Sequence, residues 1–128
     1  MIKVKLIDLL NSASILQRLT AIDFKAKTSW QIYKLIAAAE KEMNAFQDTR
    51  MKVVQKYAEK DENGEMVVKN DEYKIPDDQM ENFTNEINEL LMSEVELNAS
   101  QIPLEDLDAA NFKPTEMIIM EPFLKVEE

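Results

Sequence analysis

The sequence predicts an α+β domain that is mostly α. Three observations predict it. The chain has 128 residues, the usual length of one domain. It holds one Gly and four Pro, too few for the many tight turns of a sandwich or barrel. Its hydrophobic residues, 45% of the chain, recur mostly at the three-to-four spacing of helices, and two short segments alternate like strands. The expected architecture is a long antiparallel helical hairpin. A small two-stranded β element joins the N-terminal strand to a strand near residues 94–98. All of it forms a single domain over 1–128.

The elements follow in order. Ile2-Lys3-Val4-Lys5-Leu6 alternates apolar and basic residues, so a strand over 2–6 faces a core with Ile2, Val4 and Leu6. A helix over 8–20 comes next, with Ile7, Leu10, Ser14, Ile15 and Leu19 near one face and Leu9 and Leu16 widening it. After a short connection, residues 28–59 contain no Pro or Gly. Trp30, Tyr33, Ile36, Ala37, Met43, Phe46, Arg50, Val53, Val54 and Tyr57 keep helical spacing there, which predicts a long amphipathic helix. Thr28 or Ser29 is placed to cap it. It stops at Asp61-Glu62-Asn63-Gly64, because Asn-Gly favours positive φ. Residues 61–76 are expected to be a loop or small hairpin with Asn70-Asp71 at its centre.

Asp77 or Asp78 can cap a helix over 77–92, with Met80, Phe83, Ile87, Leu90 and Leu91 as its apolar face. Glu94-Val95-Glu96-Leu97 alternates again. Its natural partner is the first strand, with Lys3 and Lys5 opposite Glu94 and Glu96. Opposite charges across paired strands contribute about 0.2–1 kcal/mol per pair. Two short helices are expected at 103–109, with Pro103 in its first turn, and at 114–121, ended by Pro122. Lys125–Glu128 should fray.

Charge is uneven. The net charge is −10. Residues 1–60 carry 11 Lys/Arg and 6 Asp/Glu, a net +5, and residues 61–128 carry 4 Lys and 19 Asp/Glu, a net −15. Lys3, Lys5 and the long helix take up part of that acidity internally. The remainder suits an acidic face for a basic partner, or solubility alone. Overall acidity argues against direct nucleic-acid binding, which needs cations to neutralise phosphates. No apolar run has the length of a membrane helix, and Met1–Leu10 does not read as a signal peptide. No membrane partner is expected.

Absences limit the chemistry. There is no His and no Cys, which removes imidazole acid–base catalysis, thiol nucleophiles and zinc fingers. One Gly cannot build a phosphate-binding glycine loop. Ser12, Ser14, Ser29, Ser93 and Ser100 have no base to activate them. No catalytic residue and no cofactor is assigned, and the chain is read as non-enzymatic. Two carboxylate patterns have spacings that occur in metal sites. Glu59 to Gly64 has EF-hand-like spacing, but position 1 is Glu and position 12 is Asn70 where a bidentate Glu is needed, so no metal site is assigned. Glu86-x-x-Glu89 with Glu105-x-x-Asp108 has the spacing of MazG-like, magnesium-dependent nucleotide pyrophosphatases. A β-like segment and Pro103 lie between the pairs, which leaves this a minor alternative.

The residues singled out for binding a partner are Glu81, Asp106, Asp108, Trp30 and Tyr33. The three acids belong to the acidic half. Trp30 and Tyr33, beside Lys27 and Lys34, have the spacing of core or subunit-interface residues, or of a surface on which bases stack. The helix at 77–92 covers about half of the long helix, which leaves room for a second copy and makes a homodimer an expectation.

Several segments together resemble small proteins of tailed phages and prophages of Gram-positive bacteria. They are Lys3-Val4-Lys5-Leu6-Ile7-Asp8-Leu9-Leu10-Asn11-Ser12-Ala13, the helix end Lys56-Tyr57-Ala58-Glu59-Lys60-Asp61-Glu62-Asn63-Gly64, Phe83-Thr84-Asn85-Glu86-Ile87-Asn88-Glu89-Leu90-Leu91 before Glu94-Val95-Glu96-Leu97, Ile102-Pro103-Leu104 and Pro114-Thr115-Glu116-Met117. The resemblance implies a protein-interaction module, either a virion structural or assembly accessory or an inhibitor of a host defence or replication protein acting through the acidic C-terminal half. It implies a phage or host protein as partner, and the host cell cytoplasm or the virion as location. It carries over no catalytic residues.

Overall fold

A computed structural model describes residues 1–69 and 72–126. The fold is α+β and mostly α. In chain order its elements are β1 (Ile2–Lys5), α1 (Leu6–Leu19), α2 (Ala26–Tyr57), β2 (Val68–Lys69), β3 (Glu72–Tyr73), α3 (Met80–Leu91), β4 (Glu94–Leu97), β5 (Ile102–Pro103), α4 (Pro114–Met120) and β6 (Leu124–Lys125). Short 3-10 turns lie at Asp77–Gln79, Leu104–Ala110 and Glu121–Phe123. The chain forms two compact units. One is Met1–Met43 with Ser93–Glu128, and the other is Asn44–Met92.

In the first unit β1 pairs antiparallel with β4, in the register Ile2–Leu97, Lys3–Glu96, Val4–Val95 and Lys5–Glu94. The pleat sends Ile2, Val4 and Leu97 into the core and leaves the four charges outside. The strand stops at Lys5 rather than residue 6. Leu6 opens α1, and its otherwise orphaned N–H donates to the Ser93 carbonyl at 2.9 Å. The buried face of α1 also differs from the expected one. Leu6, Leu9, Ser12, Ile15, Leu16 and Leu19 are inside, whereas Ser14 is exposed and Ile7 and Leu10 are half-buried. Ser12 is fully buried and donates its hydroxyl to the Leu9 carbonyl at 2.7 Å, so its own polar hydrogen is not stranded in the core.

The helix α2 begins at Ala26, two residues before the expected cap. Thr28 is buried and the Ser29 hydroxyl donates back to the Phe24 carbonyl at 3.4 Å. In its first part α2 turns Thr28, Ile32, Leu35 and Ala39 inward, a four-three-four spacing that makes one stripe. The C-terminal segment holds an unforeseen pairing. Instead of fraying, Lys125 joins β6, which lies parallel to β5 in the register Ile102–Leu124 and Pro103–Lys125. Phe123 and Leu124 are buried and pull the segment in. Glu127 and Glu128 lie outside the described residues.

In the second unit, Phe46, Val54 and Ala58 are buried. Tyr57 meets Phe83 edge to face at 6.3 Å between ring centres, and Lys56 pairs with Glu86 at 2.8 Å. These contacts join the end of α2 to α3. The Asp61 carboxylate accepts the N–H groups of Asn63 and Glu65 at 2.8 and 3.0 Å, and Gly64 has φ +80°. That turn lets Lys60 bridge Met66. Val67 N–H donates to the Glu59 carbonyl and Glu59 N–H to the Lys74 carbonyl. The loop-or-hairpin segment is thus a hairpin, with β2 and β3 antiparallel. Its Asn70-Asp71 connection lies outside the described residues. Asp77 and Asp78 do not cap α3 with their side chains. They form a 3-10 turn whose N-cap is Pro76. Met80, expected on the apolar face of α3, is exposed.

Candidate functional site

The buried stripe of α2 dictates what its other side shows. Lys27, Trp30, Lys34, Ala37 and Lys41 repeat at three-four spacing and are all exposed, as is Tyr33 beside them. Trp30 is 57% exposed and Tyr33 62%, so neither is a core residue in this chain. The two rings stack 5.4 Å apart at 19°, within the range of favourable aromatic pairs. Lys34 Nζ lies 5.5 Å from the centre of the Trp30 ring. A cation over indole is attracted to the ring face. Stacking and cation together limit the freedom of the two rings before anything binds.

Tyr33 stands between two clefts. One, of about 240 Å³, is almost wholly apolar, with Leu19, Ile22, Phe24, Ile32 and Ile36 in its wall. The other, of about 510 Å³, has Lys34, Lys41, Glu42 and Glu96 around it. Aromatic rings at the edge of an apolar cleft, flanked by lysines, suit recognition of a protein surface.

A further cleft of about 520 Å³ lies in the same unit. Its walls include Leu104, Leu107, Phe112 and Met117, and Glu105, Asp108 and Lys125 are the charged residues on it. Arg18 helps to shape it. The guanidinium donates to both Glu116 oxygens at 2.5 and 3.2 Å and lies 5.8 Å from the centre of the Phe112 ring. Glu116 also accepts the Lys113 N–H at 2.9 Å at the start of α4. Arg18 first, and the Lys113 N–H second, hold the Glu116 carboxyl below its ordinary value. Asn111, in the left-handed conformation at φ 49°, ends the 3-10 turn and leads into Phe112.

The five residues singled out in the sequence fall in three places. Trp30 and Tyr33 come together. Asp108 lines the third cleft, and Asp106 is exposed on the same 3-10 turn without lining it. Glu81 is exposed on α3, in the other unit. Sequence reasoning missed the apolar wall of the third cleft. Its signal was the recurrence of Leu104, Leu107 and Met117 in two short helices.

Glu86 and Glu89 belong to one unit, Glu105 and Asp108 to the other. Glu86 pairs with Lys56, which holds its carboxyl below the ordinary value. Among the described residues no three His, Cys, Asp or Glu gather as a metal site. Asp61 Oδ1 accepts two N–H groups of its own turn, and Asn70 lies outside the described residues. No helix among the described residues is long and apolar enough to cross a membrane. No family model, curated protein or solved structure matches the chain.

Proposed function

We propose that the chain is a non-enzymatic protein-interaction module that docks through the Trp30 stripe of α2. The observation that carries this reading is the stacked Trp30–Tyr33 pair, more than half exposed, with Lys34 at the indole. Tryptophan and tyrosine are the residues that most often anchor interfaces, because they cover much area with few rotatable bonds. The chemistry of the stripe defines its counterpart. An indole between Lys27 and Lys34 suits an apolar pocket with carboxylates on its rim. The sequence resemblance to small proteins of tailed phages supplies the context, an accessory in virion structure or assembly. The lack of His and Cys supports a role without catalysis.

Site-specific photo-crosslinking in producing cells tests the proposal. A photoreactive phenylalanine analogue at Tyr33 should give a discrete covalent adduct with protein. The same analogue at exposed Gln17 should not. Equal labelling at both sites, or none at Tyr33, overturns the reading.

A further inference from the structure

The counterpart that the stripe requires is present on the chain itself. The cleft beside the Leu104–Ala110 turn has a mixed lining, with Leu104, Phe112 and Met117 beside Glu105, Asp108 and Asn111. Residues three apart on a 3-10 turn lie on one side of it, so the two carboxylates form a short acidic column. Among the described residues Lys125 is the one basic residue lining the cleft, which leaves that lining net acidic. At about 520 Å³ it is within the roughly 300–1,000 Å³ of sites that enclose compact ligands, ample for an indole. The stripe has the complementary layout, with Lys27 three residues before Trp30 and Lys34 four residues after it. Stripe and cleft share no lining residue, and both belong to the unit made of Met1–Met43 and Ser93–Glu128.

We infer that the occupant of this cleft is the Trp30 stripe of a second copy. The inference rests on the reading of the stripe as a docking surface and names its partner. Two copies that exchange stripe and cleft reciprocally form a closed dimer; a single contact leaves one stripe and one cleft for further copies, until a ring closes or a filament grows.

Purified full-length chain tests this in a concentration series by sedimentation velocity. Trp30 is the one Trp in the chain, so its emission reports docking directly. Mass should rise with concentration while the emission shifts to the blue, and added salt should weaken both. Trp30→Ala removes the knob. The exposed pair Glu105→Lys with Asp108→Lys reverses the cleft charge. Each variant alone should associate at least tenfold more weakly. Mixed together, they should form a one-to-one complex that grows no further, because one supplies the cleft and the other the stripe. Lys34→Glu replaces Trp30→Ala if the latter loses its helical signal. A monomer at every concentration, or no complex on mixing, overturns the inference. A Tyr33 adduct with a different protein, alongside a chain that stays monomeric, would leave the docking surface standing and remove only the self-assembly.

Discussion

The two stripes of α2 should respond to truncation in opposite ways. Leu35 is fully buried and Trp30 is 57% exposed. Leu35→Ala deletes core packing and leaves a cavity, which costs about 2–5 kcal/mol. Trp30→Ala removes the larger side chain yet should cost about 1 kcal/mol or less. It loses a stack worth roughly 0.5–1.5 kcal/mol when well covered, but Ala favours a helix over Trp by a few tenths of a kcal/mol or more. Urea denaturation followed by far-UV circular dichroism, at concentrations low enough to keep the chain monomeric, measures both. With m near 1–3 kcal/mol/M, Leu35→Ala should lower the midpoint by about 1–2 M and Trp30→Ala by well under 1 M. A Trp30→Ala loss equal to that of Leu35→Ala would mean that the indole is core and the stripe is no docking surface.

Other perturbations read other parts of the structure. Glu116 is held below its ordinary carboxyl value of 4.5, so the unfolded chain takes up that proton at a higher pH than the folded one. The stabilisation from the Arg18 pair is therefore whole above the ordinary value and lost as pH falls through the lowered one. Melting temperatures of wild type and Glu116→Gln should converge in acid, and a gap that persists there refutes the assignment. At Gly64 an added Cβ meets nothing within 4 Å, so the cost of Gly64→Ala is conformational, about 1–2 kcal/mol from the left-handed φ alone. Gly64→Asn should recover part of it in a thermal melt. Across β1 and β4, Lys5→Glu or Glu94→Lys alone places like charges opposite each other and destabilises. The double reversal should restore stability, with a coupling of about 0.2–1 kcal/mol in a double-mutant cycle.

The legibility of the fold varied with the strength of local pattern. The β1–β4 pair was readable because both segments alternate and carry opposite charges, and the observed register sets Lys3 against Glu96 and Lys5 against Glu94. The extent of α2 was readable to within two residues, since no Pro or Gly interrupts it. Its inward face was not. Thr28, Ile32, Leu35 and Ala39 make one helical stripe and Trp30, Tyr33 and Ala37 another, and periodicity alone does not say which is covered. The β5–β6 pair is two residues long and parallel, too short for alternation and too distant in sequence for a turn signal. The cleft beside Phe112 depends on a left-handed Asn111 and on Arg18 reaching Glu116 ninety-eight residues away, and neither leaves a periodic trace. Within the candidate site, Trp30 and Tyr33 stood out by residue type, while their exposure emerged only from the fold.

Acrylamide quenching of Trp30 fluorescence tests the docking stripe most directly, because no other Trp contributes. In the dilute chain the emission should be that of a water-exposed indole and quenching should be efficient. As the chain is concentrated, the emission should move to the blue and quenching should fall. A blue, quench-resistant signal in the dilute chain, or an exposed signal that no concentration and no cellular partner protects, would contradict the account.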